Sequence, residues 1–163
     1  MKIVLARIDD RFIHGQVLTR WIKIHAADRI IVVSNEVAQD EMRKTLILSV
    51  APSNVKASAV SISKMAKAFH SPRYEDTTAM LLFENPGDIV SLIEAGVPIE
   101  IVNVGGMRFE NNRRQITKSV SVTEKDIKSF EQLHELGVKL ELRQLPSDSS
   151  EDFMQMLRNA TKS

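Results

Sequence analysis

The side chains of Asp9, Asp10, Arg11 and His14 crowd one short stretch, Ile8-Asp9-Asp10-Arg11-Phe12-Ile13-His14-Gly15-Gln16, and their types suit phosphoryl transfer. A neutral imidazole is a good nucleophile near pH 7, and its phosphoramidate keeps a high transfer potential. An arginine three residues earlier can set its planar guanidinium on phosphoryl oxygens, where bidentate bonding is strong. A loose transition state with charge on three equatorial oxygens needs positioned donors more than general acid–base groups. Each residue also has a plainer reading. A lone histidine near a helix start is commonly a surface or capping residue, and Arg11 could be an ion pair with Asp9 or Asp10, worth ~0.5 kcal/mol if exposed. Adjacent residues in extended chain point apart, so orienting Arg11 or the imidazole suits Asp9 and Asp10 better than work as an acid–base pair.

A second unusual stretch is Asn103-Val104-Gly105-Gly106. Paired glycines let backbone N–H groups approach an anion closely and form a concave nest. A histidine on one loop with a glycine nest on the next would make a phosphoryl site that needs no metal. The remaining histidines are bland. His25 ends a helix, His70 precedes Ser71-Pro72, and His134 sits on a helix; none makes an i, i+4 pair around an acid, so a zinc site is not expected. The basic segment 108–118, with Arg108, Arg113, Arg114 and Lys118, is either a solvated loop or a docking surface for an acidic partner. No P-loop and no Gly-x-Ser-x-Gly elbow is present, and Gly105-Gly106 does not match the dinucleotide fingerprint.

The elements that must position these residues alternate along the chain. An apolar run over Lys2–Arg7 predicts a first strand, and Val17, Leu18, Trp21 and Ile22 predict an amphipathic helix from Gly15 to His25. Arg29–Val33 is a second strand, followed by one helix over 36–50 with Met42, Leu46 and Val50 on its buried face. Lys56–Ser61 is a third strand, and Ile62, Met65, Ala66 and Phe69 have the spacing of a half-buried helix. Thr78–Phe83 is a fourth strand; Asn85-Pro86-Gly87-Asp88 opens a helix that Gly96 closes. Ile99–Val104 is a fifth strand, with the glycine pair after it, and Ser119–Val122 is short and alternating. Thr123-Glu124-Lys125-Asp126 resembles a capping box. It starts a helix whose buried face is Ile127, Phe130, Leu133 and His134. Val138–Leu142 suits an edge strand, and a last short helix carries Phe153, Met156 and Leu157.

Strands without polar alternation are buried on both faces, and helices between consecutive strands imply parallel pairing. The expected fold is therefore α/β: a single domain over 1–163, with a mostly parallel open sheet of about six or seven strands and helices on both faces. In such a sheet ligands bind beyond the carboxyl ends of the strands, where both stretches fall.

Composition narrows the function further. Hydrophobic residues make up 43% and charged residues 26%, with a formal net charge of +1. That balance gives no reason to expect nucleic acid as a partner, and aromatics at 5% argue against base stacking. Without cysteine there is no disulfide, no thiol catalysis and no cysteine-built metal site. Arg7 breaks the N-terminal apolar run too soon for a signal peptide, and no stretch is long enough to span a membrane, so a cytoplasmic protein is expected.

Leu5-Ala6-Arg7-Ile8-Asp9-Asp10-Arg11-Phe12-Ile13-His14-Gly15-Gln16-Val17 resembles the N-terminal signature of the IIB subunits of the bacterial phosphotransferase system, in the mannose/fructose/sorbose branch. Thr19-Arg20-Trp21, Asn103-Val104-Gly105-Gly106-Met107 and Ser121-Val122-Thr123-Glu124-Lys125-Asp126 fit the same family in the same order. Phe12 stands where the family often has leucine, a conservative departure. The resemblance implies a phosphotransferase in which His14, at Nδ1, accepts a phosphoryl group from a phosphohistidine on a IIA partner. It would pass the group to a sugar held by the membrane subunits IIC and IID. By the same resemblance Arg11 would contact the phosphoryl group, with backbone around Gly15, Gly105 and Gly106, and with Asp10 and Asn103 in support. No cofactor is implied. The chain would sit at the membrane permease without entering it; the sequence is compatible with a weak homodimer and has no feature that demands one. The rival reading is a binding module whose first loop holds an anionic metabolite without covalent chemistry.

Overall fold

Lys2–Asp9 forms β1, two residues longer than the apolar run suggested, because Ile8 and Asp9 go on pairing with neighbours. A computed structural model describes residues 1–162, apart from the side chains of Gln16 and Val17, so the expected packing of Val17 lies outside the described residues. After β1 come α1 (Gly15–Ile24), β2 (Arg29–Val33), α2 (Asn35–Gln39), α3 (Glu41–Leu48), β3 (Lys56–Val60), α4 (Ile62–His70), β4 (Thr78–Phe83) and α5 (Pro86–Glu94). The second half holds β5 (Ile101–Gly106), β6 (Arg114–Gln115), β7 (Ser121–Val122), α6 (Glu124–Glu135), β8 (Lys139–Leu142), β9 (Glu151–Asp152) and α7 (Phe153–Thr161).

The main sheet has seven strands in the order β3-β2-β4-β1-β5-β8-β9. All its pairings are parallel except β8 with β9. The expected α/β sheet is therefore present, but β8 is not an edge strand: β9 covers it. Placing β1 between β4 and β5 puts the end of β1 in the middle of the carboxyl rim. Among the described residues no helix is long and apolar enough to cross a membrane.

Successive side chains on a strand point to opposite faces, so each inner strand feeds two cores. Ile30, Val32, Met80 and Leu82 face Phe12, Ile13, Leu18 and Trp21 on the α1 side. Ile8, Ile31, Val33, Leu81 and Phe83 face Ile89, Leu92, Phe130, Leu133 and Phe153 on the other side. This double burial explains the continuous apolar runs of β2 and β4. Each large side chain so buried stabilises the fold by about 1.5–3 kcal/mol.

Local signals hold at most helix starts. Asn85 caps α5 with Pro86 next to it, and the Thr123/Asp126 capping box closes in both directions. Two expectations fail. The single helix over 36–50 is broken at Asp40, whose backbone is extended and whose carboxylate caps α3 by accepting from the Arg43 N–H. The break resets the helical register: Ile47 and Leu48 pack inward, while Met42, Leu46 and Val50 stand exposed. On α6, His134 is exposed, and the small or capping residues Asp126 and Ser129 share the buried face with Phe130 and Leu133. Ser129 there packs close to Gly87 on α5.

Candidate functional site

The loop from β1 to α1 is held from below. Phe12 and Ile13 sink into the α1-side core, and the Phe12 N–H donates to the Asp9 carbonyl at 2.9 Å. Phe12 takes a left-handed φ of 56°, strained for a side chain of its size, and ring burial offsets the cost. With its apolar members pinned and Gly15 turning at φ 48°, the loop delivers Arg11 and His14 to the surface. The stretch is thus a polar turn anchored by two hydrophobic residues.

Asp9 is the hub. It is 0% exposed at the end of β1 and accepts from four donors. Arg11 gives its backbone N–H at 3.1 Å and its Nε at 3.3 Å to Oδ1. Oδ2 lies 2.7 Å from His14 Nε2 and 3.4 Å from an Arg7 terminal nitrogen. A carboxylate only accepts, so in this contact a neutral imidazole carries its proton on Nε2 and its lone pair on Nδ1. His14 is the N-cap residue of α1, yet its side chain makes no capping bond. The His14 side chain therefore does not accept from the first turn of α1, and the partial positive charge of a helix start favours an anion. The ring is 22% exposed and the Arg11 side chain 55%, so both are open to a docking partner.

Asp10 plays a different part. Its Oδ2 accepts the Arg108 N–H at 2.8 Å, and its own N–H donates to the Gly106 carbonyl at 3.1 Å, tying the loop after β5 to the end of β1. That loop is not irregular throughout: Arg114–Gln115 and Ser121–Val122 form a small antiparallel ribbon. Its basic charge is partly matched, since Arg108 and Arg113 both approach Glu110.

The glycine pair is not a turn after β5 but the end of that strand, and neither residue has a left-handed φ. A β5 of Ile101–Gly106 sets Arg7 level with Asn103 and Asp9 level with Gly106. A Cβ at Gly106 would stand 3.3 Å from Asp9 Oδ1 and 3.5 Å from an Arg11 terminal nitrogen, so this glycine borders the site. Gly105 lies deeper, against the Arg7 guanidinium. Asn103 is fully buried; it accepts from Arg7 and donates to the Arg143 carbonyl at 3.1 Å.

The structure thus brings Arg11, His14, Gly15 and Gly106 to one rim, with Asp10 beside them and Asn103 and Gly105 beneath. Asp9 holds Arg11 and the imidazole, the orienting part expected of it, whereas Arg7 was missed. A signal existed: two charges at i, i+2 in a strand buried on both faces must share one side and have partners there.

Next to Asp10 a cleft of about 600 Å3 runs between α5 and α6, lined in part by Glu84, Asp88, Arg113 and Lys125. Burial, with Glu84 and Glu36 close by, pushes the Asp88 carboxyl up from 3.8 to about 6. The folded state therefore holds a proton that the unfolded chain gives up, and stability falls as pH rises through about 4–6. Asp88→Asn removes that penalty. Its melting temperature is expected to exceed wild type at pH 7 and to match it at pH 4; equal melting temperatures at pH 7 would refute this.

A histidine at a helix start, bonded to a buried carboxylate on the carboxyl rim of an open, mostly parallel sheet, places the chain among α/β domains with a polar site at a strand end. The match to known proteins is closer than the class. The family model of the sorbose subfamily IIB component of the PTS system matches residues 3–163, and the chain belongs to that family. It is 86% identical over 162 residues to the PTS system fructose-specific EIIB component of Bacillus subtilis (strain 168), covering 99% of both chains. It is 48% identical to the PTS system mannose-specific EIIAB component of Escherichia coli (strain K12), covering 99% of this chain and 50% of that protein. Among solved structures, the IIB domain of the sorbose permease of Klebsiella pneumoniae superposes with a TM-score of 0.96 at 42% identity, over 100% of both chains.

Proposed function

We propose that the chain, over 1–163, is one IIB domain and the cytoplasmic phosphocarrier of a sugar phosphotransferase system, peripheral to the membrane permease. A phosphorylated IIA protein or domain docks on the His14 rim. The Nδ1 lone pair attacks phosphorus, the donor's P–N bond breaks, and the proton on Nε2 stays where Asp9 holds it. In the second transfer a sugar hydroxyl oxygen, presented by IIC and IID, attacks the same phosphorus, the P–Nδ1 bond breaks with its electron pair returning to Nδ1, and the hydroxyl proton is released to water. Arg11 and the α1 N–H groups from Gly15 onward face the phosphoryl oxygens. Gly106 keeps that space clear, and Gly105, Asn103 and Asp10 support it from below and beside. No metal or cofactor enters either step.

The observation that carries this reading is the Asp9–His14 contact at 2.7 Å, which engages Nε2 and supports Nδ1 as the nitrogen free to attack. The sugar belongs to the mannose/fructose/sorbose class, and the fructose-specific relative at 86% identity favours fructose. The test is transfer from labelled phosphoenolpyruvate through the general phosphotransferase proteins and a cognate IIA. Label that is stable in base and lost in acid is expected on this chain. Absence of label while IIA is labelled would turn the assignment toward reversible binding of an anionic metabolite.

Arg11→Ala is expected to slow acceptance by roughly 10²-fold without abolishing it, because one oxyanion donor is lost while the α1 N–H groups remain. An unchanged single-turnover rate would remove Arg11 from the phosphoryl contacts.

A further inference from the structure

Arg7 is a charged side chain that the proposed transfer does not use, yet it is 2% exposed beneath the site. A buried charge is tolerated only with a partner and hydrogen bonds, and Arg7 has a fitted bed for both. Its guanidinium donates to Asn103 Oδ1, to the Arg143 carbonyl at 3.0 Å and to Asp9 Oδ2 at 3.4 Å. It lies over the Trp21 ring, 5.4 Å from the centroid. The Trp21 indole is itself fixed by the Gln144 carbonyl at 2.9 Å, and the Gln144 side chain is fixed by the Gly105 carbonyl at 2.7 Å. Space for the guanidinium exists because position 105 has no side chain: a Cβ there would overlap it.

We propose that Arg7 is a positioning residue for His14, acting through Asp9, and that Gly105 is the gap that admits it. Asp9 Oδ2 is shared between Arg7 on one side and His14 Nε2 on the other. Arg11 holds only Oδ1, and half of that side chain is in solvent. With Arg7 in place, Oδ2 is aimed at Nε2 and the imidazole stays in the Nε2–H form. Without it the carboxylate can turn about its Arg11 contacts, the ring samples the Nδ1–H form, and fewer molecules present a nucleophilic Nδ1. The tautomer needed before P–Nδ1 bond formation is the one this buried arginine keeps, since no proton moves on the ring during the transfer.

The inference rests on the phosphocarrier reading for its rate but not for its tautomer, and the test separates the two. Wild type, Arg7→Met and Gly105→Ala are compared with ring-15N histidine by the Nδ1 and Nε2 shifts of His14. Initial rates of label uptake from a phosphorylated IIA protein are measured alongside, with circular dichroism to confirm folding. Both variants are expected to lose Nε2–H population and at least tenfold in rate. Gly105→Ala keeps Arg7 and Asp9 in the chain but displaces the guanidinium, so it carries the test alone should Arg7→Met not fold. A wild-type His14 in the Nδ1–H form overturns the proposal without any variant. So does a folded variant with the wild-type tautomer ratio, whatever its rate. A tautomer shift in the variants of a protein whose wild type takes no label supports the positioning role and overturns the phosphocarrier reading instead.

Discussion

His14→Ala is expected to take up no label from a phosphorylated IIA protein while keeping the wild-type circular dichroism spectrum and a melting temperature within a few degrees. The imidazole is the nucleophile, so its removal leaves nothing for the phosphoryl group to bond to, and no neighbour replaces it. Arg11 is always charged and cannot attack, and a carboxylate such as Asp9 is buried behind the ring. The fold survives because the loop is held by Phe12 and Ile13 in the core and by Asp9 accepting from Arg7 and Arg11. The side chain lost caps no helix N–H. Retained base-stable, acid-labile label on the folded variant would move the acceptor to another histidine, and His25, His70 and His134 would be tested in turn.

How far the sequence discloses this molecule depends on whether a signal is local. Strand runs and caps are local: Thr78–Phe83 is apolar because both its faces are buried, and Thr123 with Asp126 forms its box within one turn. The break at Asp40 is also local, but aspartate occurs within helices as well as at their starts, and the apolar spacing of Met42, Leu46 and Val50 concealed it. The site divides in the same way. His14, Arg11 and Gly15 are legible because they are adjacent in the chain and the turn exposes them. The contacts of Arg7 span 96 residues to Asn103 and 136 to Arg143, and no periodicity in β1 announces a partner so distant. The glycine pair looked like a turn since glycine usually is one. Its residence in β5 comes from pairing with β1, and Gly105 is bare there because Arg7, on that other strand, fills the space.

Asp9→Asn is expected to reduce phosphoryl acceptance by on the order of 10³–10⁴-fold, the loss seen when a carboxylate that fixes an imidazole tautomer becomes an amide. The amide has one acceptor and one donor end where the carboxylate had two acceptors. Its NH2 placed at the Oδ1 position would face both the Arg11 N–H and Nε–H, two donors that cannot reverse. Placed at the Oδ2 position it faces Arg7 and the imidazole, and the imidazole can reverse. The ring then accepts at Nε2, carries its proton on Nδ1, and has no lone pair to offer phosphorus. The cost in stability is about 3–5 kcal/mol, because the amide leaves the buried Arg7 with no counter-charge and one of its donors without an acceptor, although the side-chain shape is kept. Urea unfolding measures that loss, and ring-15N shifts of His14 report the reversed tautomer. A variant that accepts phosphoryl at the wild-type rate, or whose His14 keeps Nε2–H, would show that the imidazole is set by something other than Asp9. The nucleophile would then have to be sought at Nε2. Asp9→Ala removes the same counter-charge and, in addition, leaves a void and strips the Arg11 N–H and Nε–H of their acceptor, which puts folding itself at risk. The isosteric amide is therefore the informative change, because it alters which ring nitrogen is free without removing the packing that holds the loop.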